Sequence, residues 1–171
     1  MKGNAGDPVV IHGWSVFAHP LFLAQIEALQ ARVEALRQKD EAGYLKKNAS
    51  KRLGAIVKLA FDVIPRDPTR PEYRLGGTLG AAHTHWFRAK FFQQYRLFFR
   101  YHAAARVLVY AWVNDEDSKR AYESSDDAYR TFRRMLADGR PPDDWDQLLR
   151  EAQRESSRLQ SSRAKLDSPP R

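Results

Sequence analysis

The sequence predicts an α+β fold: an N-terminal strand and a helical hairpin packed on a small antiparallel sheet, with C-terminal helices after it. Three observations carry this. Phe22, Ile26, Leu29, Val33 and Leu36 recur at alternating steps of four and three, the spacing of one helical face. Leu45, Ala49, Leu53, Ile56, Val57, Ala60 and Ile64 mark a second helix after a short polar link, so the two should pair antiparallel. Three apolar runs then follow with short connections, Trp86 to Phe91, Tyr95 to Tyr101 and Arg106 to Val113, which is the pattern of a meander.

Taken in order, Val9 to Phe17 is rich in β-branched and aromatic residues and reads as a first strand interrupted near Gly13. Pro20 suits the first turn of a helix, and Lys39 to Gly43 breaks that helix. Pro65, Pro68 and Pro71 end the second helix, and residues 74–84 form a loop. After the meander, Asn114 to Ser118 can cap a short helix through Tyr122. A further helix runs from Asp126 or Asp127 to Asp138 with Tyr129, Phe132, Met135 and Leu136 on its apolar side. Gly139 and Pro141-Pro142 stop it, and Trp145, Leu148 and Leu149 mark a last short helix. Residues 1–8 read as a flexible N-terminus, 9–154 as a single domain, and 155–171 as a disordered Ser- and Arg-rich tail.

A chain of 171 residues can bury one core without staples, and it has no cysteine, which removes disulfides and thiolate metal sites. No secretory core and no run of about 18 to 20 apolar residues is present, so the expected location is cytoplasmic, away from membranes. The net charge of +8 is uneven. Between Tyr73 and Val113 stand Arg74, Arg88, Lys90, Arg96, Arg100 and Arg106 among many aromatics, with no Asp or Glu. Guanidinium groups meet phosphates and rings stack on unpaired bases, so this composition suits nucleic acid; it also suits a solvated basic face over an aromatic core.

Alternation sorts these cations. Trp86, Arg88 and Lys90 share one face of their strand, and Arg96, Phe98 and Arg100 share one face of the next. Burying an unpaired Arg is costly, so both faces should turn away from the helical hairpin onto one open patch. Such a patch could stabilise the charge that builds when a ribose 2′-OH attacks its neighbouring phosphate. Proton transfer has several candidates: Lys90, Tyr122, His102, Asp115 and Glu116. His83-x-His85 lacks a third metal ligand nearby in sequence and reads as surface or RNA-contacting, and no cofactor or metal is expected.

The runs Tyr95-Arg-Leu-Phe-Phe-Arg-Tyr101, Trp112-Val-Asn-Asp-Glu116 and Arg120-Ala-Tyr122 resemble those of the YhaV toxins. So do Asp127-Ala-Tyr129, Gly139-Arg-Pro-Pro142, Trp145, Gly13-Trp14, Ala18-His19-Pro20 and Trp86-x-Arg88-x-Lys90-Phe91, a likeness spanning about residues 12 to 150. The resemblance implies a RelE-like fold and a type II toxin–antitoxin system. It implies a metal-independent endoribonuclease that acts on RNA, including ribosome-associated mRNA, and so arrests translation and growth. It also implies neutralisation by a PrlF-type antitoxin of the AbrB-like class, with which the toxin would repress its operon, reaching operator DNA only through that complex. Matched to the superfamily, the catalytic residues become Arg88, Lys90, Arg96 and Tyr122. Arg100, Asn114, Glu116, Arg120 and His85 become substrate contacts. Acidic Asp115, Glu116 and Asp117 stand where some RelE-like toxins carry a further Arg. The alternative on the same fold is a non-catalytic nucleic-acid-binding repressor subunit; a weaker one is a protein-interaction domain whose basic face docks an acidic antitoxin tail.

Overall fold

The computed structural model describes residues 7–114 and 126–167. Strands β1 (Val9–Ile11), β2 (Trp14–Ala18), β3 (Phe87–Phe91), β4 (Tyr95–His102) and β5 (Val107–Val113) form one sheet in the order β1-β2-β5-β4-β3. The β3-β4-β5 meander is antiparallel as expected, whereas β2 joins β5 in parallel. The interruption at Gly13 is a two-residue hairpin: His12 and Gly13 both have positive φ, the turn whose twist matches paired strands. An added Cβ on Gly13 would also stand 3.2 Å from Arg106 Nη1.

Helix α1 (Pro20–Lys39) starts where His19 Nδ1 accepts the Leu21 N–H at 3.2 Å, with Pro20 in the first turn. Helix α2 (Asn48–Lys58) continues through a wide turn at Leu59–Val63 into Ile64–Arg66. The wide turn leads into Pro65, which has no N–H to donate, and the Ala60 carbonyl accepts the buried Tyr110 hydroxyl at 2.5 Å. Phe22, Ile26, Leu53 and Ile56 of this pair pack against Ala89, Leu97, Phe99 and Tyr110 on one face of the sheet.

The opposite face is covered too. Helices α3 (Asp126–Ala137) and α4 (Trp145–Gln153) bring Tyr129, Phe132, Leu136, Leu148 and Ala152 onto Phe17, Trp86, Phe98, Val109, Ala111 and Trp112. Phe132 stacks on Phe98 at 4.2 Å and on Trp112 at 5.8 Å, and meets Trp86 edge-on at 4.9 Å. The expectation of an open basic patch is therefore corrected. The Arg-bearing faces do turn away from the α1–α2 pair, but a second core forms there. Large aromatic rings share those faces with the cations, and burying them outweighs leaving the face in water.

A β-bulge sets which residues enter that second core. Phe98 pairs with Trp112 but Phe99 pairs with Tyr110, so Ala111 is the extra residue on β5. Ala111 and Trp112 consequently lie in the same core while Tyr110 and Val113 lie in the other.

The tail needs a second correction. Ser156–Asp167 form helix α5 instead of a disordered segment. Leu159 is fully buried in the α1 core, the side chains of Ser156 and Ser162 are buried, and Arg158 Nε donates to both carboxylate oxygens of Glu27 on α1 at 2.9 and 3.0 Å. Gln30 on α1 also donates to the Ser162 carbonyl at 3.1 Å. Serine-rich composition disguised a helix whose small side chains allow close approach to its neighbour. The expectation for the first eight residues falls largely on positions 1–6, and that for a short helix through Tyr122 on positions 115–125, outside the described residues. No helix among the described residues is long and apolar enough to cross a membrane.

Candidate active site

The β3–β4 register pairs Lys90 with Arg96 and Arg88 with Phe98, so Arg88, Lys90 and Arg96 share one sheet face. Above them stands Tyr129 of α3, buried except for 7% of its surface, its ring edge-on to Phe98 at 5.8 Å. Its hydroxyl oxygen accepts from Arg88 Nε at 2.9 Å and from Arg96 Nε at 3.1 Å. Arg88 Nη1 also donates to the carbonyls of Glu72 and Arg74, at 3.1 and 2.8 Å. Arg96 Nη1 donates to those of Gln93 and Tyr95, at 2.8 and 3.0 Å. The Arg96 backbone N–H donates to Asn114 Oδ1 at 2.6 Å, and Asn114 Nδ2 donates to the Gln94 carbonyl at 2.9 Å, tying the start of β4 to the end of β5.

Every one of these acceptors is neutral. Among the described residues neither Arg88 nor Arg96 has a carboxylate partner, and the Nη2 group of each has no acceptor. Two guanidinium groups are thus oriented by neutral oxygens, with charge and donors left over among the described residues, and exposed Lys90 adds a third cation across the strand pair. Fixed donors with uncompensated charge in a poorly hydrated place are what a developing anion requires.

A second cluster lies on the same layer. Asp143, just before α4, accepts the Trp86 Nε1–H at 2.8 Å, and the same oxygen faces His85 Nε2 at 2.8 Å and His83 Nδ1 at 3.1 Å. Burial alone would raise the Asp143 carboxyl, but the hydrogen bonds from Trp86, His85 and His83 outweigh it and hold it below its ordinary value. Arg100 sits between two indoles, 5.4 Å from the Trp86 ring centre and 5.2 Å from that of Trp145, and donates to the Asp143 carbonyl at 2.6 Å. Burial lowers its pKa, against the opposing pull of Asp143 and Asp144. His102 lies along Trp145 at 6.2 Å.

Residues 16–153 match the family model described as a toxin with endonuclease activity, of a toxin–antitoxin system. The chain is 40% identical over 148 residues to the Ribonuclease toxin YhaV of Escherichia coli strain K12, covering 85% of this chain and 96% of that protein. Toxin YhaV of Escherichia coli O6:H1 matches with the same identity and coverage. The chain belongs to the YhaV toxin family. No solved structure matches it.

In this YhaV toxin, Arg88, Lys90, Arg96 and Asn114 of the expected site residues are brought together, with Lys90 the most exposed. Arg100 shares their face but is engaged between Trp86 and Trp145. His85, expected as a substrate contact, turns its ring to Asp143. Tyr122, Glu116 and Arg120 lie outside the described residues. Sequence reading missed Tyr129, which it placed on the α3 apolar stripe with Phe132 and Leu136. The available signal was its hydroxyl, because a phenol at a core-facing position has a polar tip that needs a partner. It also missed Asp143, whose link to His83 and His85 spans 60 and 58 residues.

Proposed function

We propose that this YhaV toxin is an endoribonuclease that cleaves RNA by attack of a ribose 2′-OH on the adjacent phosphodiester, without a metal ion in the reaction. The observation that supports it best is the convergence of Arg88 and Arg96 on the Tyr129 hydroxyl, with no carboxylate partner for either among the described residues. In this reading the two Nη2 groups hold the non-bridging phosphate oxygens and stabilise the charge that grows on them. Lys90, the exposed cation opposite Arg96, and Tyr122, the residue matched from the superfamily, carry the proton transfers. The Tyr129 oxygen accepts two N–H groups and keeps its own proton free to donate towards the bound phosphate. Asn114 fixes the backbone that carries Arg96, and Glu116, Arg120 and Arg100 flank the RNA.

The same reading makes the partner a PrlF-type antitoxin that silences the toxin and forms with it an operator-binding complex, within the cytoplasm. Membership of a toxin–antitoxin family and a strongly basic chain support this.

The test incubates purified protein with end-labelled RNA in excess EDTA. The expected products carry a 2′,3′-cyclic phosphate, a single 2′-deoxy nucleotide at the cut blocks cleavage there, and Arg96→Ala slows cleavage about 10²–10³-fold. Intact RNA bound with steep salt dependence would overturn the nuclease reading in favour of a non-catalytic repressor subunit, whose log–log salt slope falls by about one for each cation removed.

A further inference from the structure

Two histidines that alternate at the entry to β3 and an aspartate from the turn before α4 are aimed at one point. We propose that His83 Nδ1, His85 Nε2 and the Asp143 carboxylate form a binding site for a single divalent transition-metal ion of the zinc class. The three ligand atoms all lie within 4.8 Å of one another. The set of two imidazoles and one carboxylate is a known preference of such ions and leaves a fourth position for water or a ligand oxygen.

The geometry is close to that of a loaded site. An ion with bonds of about 2.0–2.1 Å to nitrogen and oxygen holds tetrahedral ligands roughly 3.3 Å apart. The two histidine-to-carboxylate separations are 3.1 and 2.8 Å, so on those two edges loading requires shifts of only tenths of an ångström, and the two ring nitrogens lie within 4.8 Å of each other. Both ring nitrogens now address the same carboxylate oxygen, and one bound cation would replace the protons that such an arrangement requires. The surroundings are prepared as well. Trp86 Nε1 donates to the carboxylate and orients it, in the way that outer partners of metal ligands do. The Arg100 guanidinium holds the Asp143 carbonyl at 2.6 Å and so fixes the backbone that presents the carboxylate. The side chains are part-buried, His83 to 20% exposure and His85 and Asp143 to 36%, sheltered yet reachable from solvent.

The Arg100 guanidinium beside Asp143 opposes a cation and so weakens its binding. The bound ion would clamp the loop before β3 to the turn that starts α4, pinning the second helical layer to the sheet. The site is separate from the Arg88–Tyr129–Arg96 cluster, and cleavage in EDTA tests that cluster independently of this one.

Untagged full-length protein, stripped with chelator and dialysed, is titrated with ZnCl2 by calorimetry and with CoCl2 by visible absorption. One equivalent of zinc should bind, cobalt should give the intense visible bands of a four-coordinate ion, and the thermal midpoint should rise with zinc concentration. His85→Gln and Asp143→Asn should each weaken binding at least tenfold, while His12→Ala, at a distant histidine, keeps the stoichiometry at one. Thermal melts of each variant in EDTA identify any that fails to fold, and His83→Gln then replaces it. Failure of wild-type protein to bind saturably, or binding unchanged in folded His85→Gln and Asp143→Asn, overturns the site.

Discussion

Arg88 and Arg96, on neighbouring antiparallel strands, direct their Nε–H groups at the same atom, the hydroxyl oxygen of Tyr129, at 2.9 and 3.1 Å. Two like charges are held side by side because a neutral acceptor on a third element orders both. Among the described residues no carboxylate offsets their charge, and an RNA phosphate would supply that anion.

Tyr129→Phe keeps the ring that packs on Phe98 and removes the shared acceptor. Loss of hydrogen bonds from two charged donors should lower stability by about 1–3 kcal/mol. RNA cleavage should fall more than RNA binding, because the two guanidinium groups lose their common orientation. Urea unfolding together with a cleavage time course measures both, and wild-type cleavage in the variant would remove Tyr129 from the site.

Arg96→Lys retains the charge but not the planar fork. A lysine cannot reach the Tyr129 hydroxyl and the Gln93 and Tyr95 carbonyls while leaving a donor for phosphate. Cleavage should stay close to the Arg96→Ala level. Recovery to within a few-fold of wild type would mean that positive charge alone suffices.

His19 is buried at the start of α1, and burial lowers its pKa, against the raising effect of the Glu151 hydrogen bond. A histidine whose folded pKa lies below its unfolded value of about 6.5 contributes stability present above that value and lost as pH falls through the folded pKa. Unfolding free energy should therefore decline from about pH 7 towards pH 5. His19→Asn keeps a capping oxygen for the Leu21 N–H and should flatten that part of the profile. Parallel wild-type and variant profiles in urea titrations would contradict the assignment.

Leu159→Ala tests whether α5 belongs to the folded core. Its side chain is 1% exposed, so truncation should cost about 2–5 kcal/mol. A change of only a few tenths, read by thermal or urea melts, would place the helix outside the cooperative unit.

The helical pair and the meander were legible because each rests on a local period. The spacing from Phe22 to Leu36 and the alternation of Arg88 with Lys90 each report a face directly. The bulge after Phe98 escaped that reading, since one extra residue on β5 reverses every later side chain and puts Trp112 in the second core. The tail escaped for the opposite reason. Ser156, Leu159 and Ser162 are buried at steps of three, but two of the three are serines, so hydrophobicity does not report that face.

For the site, Arg88, Lys90 and Arg96 could be named from residue type and strand position and Asn114 from the family resemblance, and Tyr129 could not. Its helix begins only after residues 115–125, and nothing in the spacing of Tyr129, Phe132 and Leu136 says which strand they cover.

By itself the sequence determined the α1–α2 pair, the three meander strands, and the grouping of the cations on one face, because each depends on neighbours within a few positions. Tertiary structure decided that this face would be roofed by α3 and α4, that Tyr129 would meet Arg88 and Arg96, and that Asp143 would meet His83 and His85. Periodicity tells a residue which way it points, but the partner it finds there depends on packing between segments dozens of residues apart.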